Sequence, residues 1–276
     1  MSVKDFLKSV LCLVSITFIV SCASGPGTDS KQEETKVNLD AEEQKELKER
    51  QAQVGGSHSQ LRKLFQDKRY RELLEEAAKI LSKDQHDLAA LSVLGLYHMQ
   101  MNQFGAARIF FEKALLKHSD EAGLYNNIGV IQIREGNLQA GLASFKKAYD
   151  MERNNAVVQA NLGSIYVKYM DYVEAEPLVE DAYSTLTDNS IVANNYAIVL
   201  RTQGQYEEAE KVYTKALERD SRNISTNLNY AILLIEYMKK YQKAQQIVNK
   251  IEFLNPTDRY VLAKVKELQH KVTTAK

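Results

Sequence analysis

Thiols are nearly missing from this chain: among 276 residues only Cys12 and Cys22 are cysteines. Cys12 lies inside an apolar N-terminal run that reads as a segment to be removed. Without it no pair remains for a disulfide, and stability must come from packing. Surplus charge is missing too, with 36 Lys and Arg against 36 Asp and Glu. Taking away residues 1–21 removes Lys4, Lys8 and Asp5 and leaves 34 basic and 35 acidic residues. That balance lacks the basic stripe a phosphate backbone requires and excludes nucleic acid as a partner. The apolar run from Val10 to Val20 falls short of the roughly 20 residues a membrane-spanning helix needs.

Catalytic signatures are missing as well. The histidines His58, His86, His98, His118 and His270 never form H-E-x-x-H or another metal-ligand spacing. There is no G-x-S-x-G elbow, no phosphate loop and no G-x-G-x-x-G. One S-x-x-K match, Ser144 to Lys147, stands without S-D-N or K-T-G. Acid pairs such as Glu75-Glu76 and Glu207-Glu208 read as solvated helix faces. The expectation is a chain that is not an enzyme, with no catalytic residues, metal, cofactor or small-molecule substrate.

What the chain does have is a period. Gly95, Gly129, Gly163, Ala197 and Ala231 recur every 34 residues. Small residues follow the first four by 12 positions (Ala107, Gly141, Ala175, Ala209) and by 19 (Ala114, Ala148, Ala182, Ala216). A small residue lets a partner helix approach closely, so one helix carries the first register and a second helix the other two. Bulky residues fill the positions between: Leu94, Ile128, Leu162, Tyr196 and Tyr230, then Phe104, Leu138, Tyr172 and Tyr206. Phe111, Phe145, Val179 and Tyr213 stand four after the second small residue, on the same helical face. Gly136 and Gly204 supply helix-stop chemistry in the turns.

This pattern resembles the tetratricopeptide repeat over five units from Leu88 to Asp258, closed by Asn255-Pro256. The resemblance implies an all-α fold, a right-handed α-solenoid of about six helix pairs with a C-terminal capping helix. A degenerate first repeat over Val54–Asp87 makes the sixth pair. In the fifth unit Ala244 stands 13 rather than 12 after Ala231, which places an inserted residue in the turn Tyr237–Lys240. The expected boundaries are 1–21 for a signal peptide, 22–53 for a tether, 54–258 for the solenoid and 259–276 for the cap and tail. Pro177 falls inside a second helix, where proline removes one backbone bond.

The first 21 residues pair Lys4 and Lys8 with the apolar run and end in Ile19-Val20-Ser21-Cys22. That tetrapeptide resembles the bacterial lipobox, which implies that Cys22 becomes the acylated first residue, carrying palmitate-type chains. Ala23-Ser24-Gly25 follows rather than the aspartate of inner-membrane retention. The resemblance thus implies an outer-membrane anchor with the repeats in the periplasm. Residues 23–56 are rich in Gly, Ser, Gln, Lys and Glu, the composition of a tether.

One polar row stands out among the apolar positions. Asn127, Asn161, Asn195 and Asn229 each precede the small residue by two, with Asn126 and Asn194 beside them. Asparagine costs about 0.6 kcal/mol relative to alanine inside a helix, so four in register need a reason. An amide offers both donor and acceptor and can pair with an extended peptide backbone whatever its side chains. The row resembles the asparagine ladder of O-linked N-acetylglucosamine transferase, which implies peptide binding by these six residues. The alternatives are that they bond to a neighbouring helix or are merely a common exposed choice in such repeats. Flanking Leu96, Val130, Ile198 and Ile232 call for hydrophobic side chains in the ligand.

Lipobox, tether and repeats together resemble the lipoprotein pilotins of type IV pilus secretins. The resemblance implies envelope proteins as partners, secretin or other assembly subunits, and the membrane through the lipid anchor. Two other expectations stand beside it: an adaptor docking peptidoglycan hydrolases or proteases, and a structural component of a gliding-motility or secretion machine.

Overall fold

The computed structural model describes residues 56–275, and among them every regular element is helical. Residues 1–55, and with them Cys22 and the stretches expected to be a signal peptide and a tether, lie outside the described residues. Two compact units divide at Val158 and Gln159.

The first unit holds α1 (56–66), α2 (Tyr70–Lys83), α3 (Leu88–Gln100), α4 (Phe104–Leu115), α5 (Ala122–Arg134), α6 (Leu138–Met151) and the start of α7 (Ala156–Lys168). The second holds the rest of α7, then α8 (Tyr172–Thr185), α9 (Ser190–Thr202), α10 (Tyr206–Arg219), α11 (Ile224–Ile232), α12 (Tyr241–Phe253) and α13 (Arg259–Thr274). Consecutive helices pair as hairpins, six in all among the described residues, followed by α13. This is the expected class: an all-α solenoid of tetratricopeptide-type helix pairs with a C-terminal helix. The last helix buries Val265, Leu268 and Val272 in the core of the second unit, against the cluster containing Val248 and Ile251.

Side chains set where the helices begin. Asp87, Asn155, Asn189 and Asn223, again 34 apart save for the skipped Glu121, accept from backbone N–H groups in the first turn of α3, α7, α9 and α11. Each such cap stabilises its helix by about 1 kcal/mol. Helix ends repeat as well. Within each hairpin one residue takes the left-handed conformation: Lys68, Asn102, Gly136, Met170, Gly204 and Lys239, with φ from 56° to 85°. In the first five hairpins the following N–H closes back five residues, as in Gln103 to His98 (2.8 Å), Asn137 to Gln132 (2.8 Å) and Gln205 to Leu200 (2.9 Å). This is the Schellman closure. Two of its six central positions carry the expected glycine; the other four bear side chains in strained backbone. Lys68→Gly is expected to raise stability by about 0.5–1 kcal/mol, measured by urea unfolding.

The fifth tetratricopeptide unit departs from the expected turn insertion. Its extra residue is absorbed one turn earlier, as a π-turn over Leu233–Tyr237 that continues α11. Met238 N–H reaches back to Leu233 at 3.1 Å, and Lys240 N–H reaches back six residues to Leu234 at 2.9 Å. Leu233, Leu234 and Ile235 are all buried. The bulge keeps their packing, whereas a longer loop would have left the helix short of it. Pro177 sits exposed inside an otherwise continuous α8.

Candidate protein-binding face

First and second helices of the hairpins are built differently. Ten of the 13 residues of α5 are buried, against Gly141, Phe145 and Ala148 alone in α6. A helix apolar nearly all round is enclosed, and any polar group on it needs a partner inside the protein or a ligand. The asparagine row lies on these enclosed helices. Asn126, Asn127 and Asn161 are at most 2 % exposed, Asn194 and Asn195 are 9 % and 8 % exposed, and Asn229 is half-buried.

In the second unit three of these residues and one serine form a directional relay. Asn229 Nδ2 donates to Asn194 Oδ1 at 2.9 Å, and Asn194 Nδ2 leans on Asn195 Oδ1 at 3.4 Å. Asn195 Nδ2 donates to Ser164 Oγ at 2.7 Å, and the serine hydroxyl donates to the Ala160 carbonyl at 2.6 Å. The chain of bonds crosses α11, α9 and α7. An amide has two N–H donors and two acceptor lone pairs, so each asparagine of the relay spends part of its capacity on a neighbouring helix. Ser164 was not singled out from the sequence. Its signal is the single polar residue in the row Leu96, Val130, Ser164, Ile198 and Ile232.

In the first unit Asn127 Oδ1 and Ser92 Oγ are buried with no hydrogen-bond partner. A buried unpaired acceptor costs about 1–3 kcal/mol. Leu96, Met99, Val130 and Ile133 on the same two helices are buried as well. The row therefore sets amide and hydroxyl groups among apolar side chains inside the unit.

Elsewhere in the second unit lies an ionic knot. Glu210 on α10 binds Lys240 and, at 2.8 Å, Lys243, and accepts from the buried Tyr230 hydroxyl at 3.1 Å. Burial works to raise the Glu210 pKa, but these three hydrogen bonds outweigh it and bring it down to about 2. The knot ties α10 to α11 and α12. Above it Tyr213 stacks on Tyr230 with ring centroids 5.7 Å apart. Burial pushes the Tyr213 phenol above its ordinary range.

The histidines do not gather. His58 pairs with Asp87 at 2.8 Å, His118 Nε2 meets the His86 carbonyl at 3.0 Å, and His98 stacks on Phe110. Among the described residues no three His, Cys, Asp or Glu side chains are grouped to hold a metal. Ser144 Oγ donates to Gln132 at 2.7 Å.

Family models of the tetratricopeptide repeat match residues 92–156 and 200–268, one stretch in each unit. No curated protein matches the sequence. Solved structures do. YrrB, described as a TPR protein with an unusual peptide-binding site, is 19% identical with a TM-score of 0.54, over 69% of this chain and 97% of that one. A structure from the functional characterization of Pseudomonas aeruginosa PilF is 22% identical with a TM-score of 0.54, over 70% of this chain and 90% of that one. The structure of the APC/C hetero-tetramer Cut9–Hcn1 is 14% identical with a TM-score of 0.61, over 78% of this chain and 43% of that one. At these identities the likeness is one of fold. Together with the family models it establishes that the chain carries tetratricopeptide repeats.

Proposed function

We propose that this tetratricopeptide-repeat chain is a protein-binding scaffold without chemistry of its own. It holds an extended segment of an envelope protein against the first helices within a unit. The observation that carries the reading is the asparagine row, Asn126, Asn127, Asn161, Asn194, Asn195 and Asn229, set among the buried apolar residues of the first helices. The fold shared with YrrB, described as having an unusual peptide-binding site, supports peptide binding by a scaffold of this kind.

The lipobox-like Ile19-Val20-Ser21-Cys22 supports an anchor at Cys22 in the outer membrane, with the repeats in the periplasm. Several acyl chains, each gaining about 0.8 kcal/mol per buried methylene, hold such an anchor permanently. The client we propose is a secretin subunit of a type IV pilus, captured before it multimerises. The lipobox, tether and repeat architecture supports that choice.

The test is a crosslinking pull-down from intact envelopes, comparing the wild-type chain with one carrying Asn127→Ala, Asn161→Ala, Asn195→Ala and Asn229→Ala. Loss of a captured secretin with unchanged helicity is the expected result. A secretin retained by the variant removes the asparagines from the binding role. Capture of a peptidoglycan hydrolase in its place overturns the pilus assignment while leaving the scaffold reading intact.

A further inference from the structure

Charge is balanced over the whole chain but not along it. Residues 156–189 carry Lys168 alone against six acidic residues, and residues 259–276 carry five basic residues against Glu267 alone. Part of each excess falls on an exposed helix face of the second unit: Glu176 and Glu180 on α8, Arg259 and Lys266 on α13. On α8, Val173, Glu176, Pro177 and Glu180 are all exposed and follow helical spacing. Val173 is 82 % exposed, and Met170 in the preceding turn is 74 % exposed. On α13 the exposed row is Arg259, Leu262, Ala263 and Lys266, opposite the buried Val265, Leu268 and Val272. Tyr260 next to it is 68 % exposed.

Each face is thus an apolar stripe edged by one sign of charge. Glu176 and Glu180 on one, and Arg259 and Lys266 on the other, have no ion-pair partner among the described residues. Two copies of the α8 face repel each other, as do two copies of the α13 face. Acidic and basic faces attract, and the apolar residues between the charges then leave water together. We propose that the chain self-associates by seating the α8 face of one copy on the α13 face of another. Such a seam is heterologous, leaves the first-helix face free, and is independent of the peptide-binding reading above.

A photoreactive amino acid placed at Val173 of the full-length chain tests this, with isotopically heavy and light copies mixed in membranes and the adducts mapped by mass spectrometry. The expected product joins position 173 of one copy to residues 259–270 of another. Its yield should fall about ten-fold when Glu176→Lys and Glu180→Lys are introduced. It should recover when that variant is mixed with copies carrying Arg259→Glu and Lys266→Glu. It should also weaken as salt rises from about 0.05 to 0.5 M, because exposed charges are screened. All four substitutions are on exposed positions, so folding is not at stake. No copy-to-copy adduct, an adduct to a different protein, or a yield indifferent to charge reversal would each overturn the proposal.

Discussion

Gly129→Val is expected to lower the unfolding free energy by about 3 kcal/mol. A Cβ at Gly129 would stand 2.6 Å from Cε1 and 2.7 Å from Cδ1 of Phe145, and Phe145 is fully buried. The ring has no room to retreat. Across the same contact a Cβ at Gly141 would meet Ile133 Cδ1 at 2.3 Å and the Gly129 carbonyl at 3.2 Å, so the backbones of α5 and α6 themselves lie close. Valine at Gly129 must wedge them apart or force Phe145 off its rotamer. Against that cost, replacing a mid-helix glycine returns only about 0.5 kcal/mol of backbone entropy. Gly105 supplies the control. It is an exposed helical glycine with nothing near its Cβ position, and Gly105→Ala should stabilise by up to about 1 kcal/mol. Urea unfolding of the full-length chain reads both. The double variant Gly129→Val with Phe145→Leu should recover part of the loss, since the two sites share one contact. If Gly129→Val unfolds like the wild type, α5 and α6 do not approach as closely as described.

Those glycines also show how much the sequence discloses. The small residues at 34-residue spacing mark close helix approaches, and Gly95, Gly129 and Gly163 are each found against a large residue of the other helix: Phe111, Phe145 and Val179. Size and period are properties of residue type, so this level of the fold is legible. Helix closure is legible only in part. Gly136 and Gly204 announce the left-handed turn, but Lys68, Asn102, Met170 and Lys239 adopt it without any such mark. There the Schellman hydrogen bonds impose the conformation on whatever residue is present. The extra residue of the fifth unit is visible as a count, and its placement in a π-turn is not, because buried Leu233–Ile235 and not turn propensity decides it. At the candidate face the asparagine row is plain from spacing. Its relay through Ser164 depends on side-chain reach between first helices, about 31 residues apart in sequence, which no local pattern encodes.

Glu210 was equally silent in the sequence, one glutamate in a helix rich in them, yet Glu210→Gln is expected to cost about 2 kcal/mol at pH 7 and almost nothing near pH 2. Folded, its carboxyl is held down to about 2: burial opposes ionisation, but the bonds from Lys240, Lys243 and Tyr230 outweigh it. Unfolded, it titrates near about 4.3. A carboxylate whose folded pKa lies lower contributes stability that is fully present above the unfolded value and is lost as pH falls through the folded one. A gap of about two pKa units corresponds to roughly 3 kcal/mol, and partial solvent screening of the lysines reduces that to about 2. Lys240 and Lys243 are each nearly half exposed, so glutamine leaves them free to turn to water and adds no buried-charge penalty. Glu267 is also held near 2, by Lys264 and Lys271, but it remains in both proteins and cancels in their difference. Urea unfolding of wild type and Glu210→Gln at pH 7, 4.5, 3 and 2 should therefore give a gap that is steady down to about 4.5 and closes below it. A gap of the same size at every pH would mean that the hydrogen bonds survive protonation and that the ionic knot is not what joins α10 to α11 and α12.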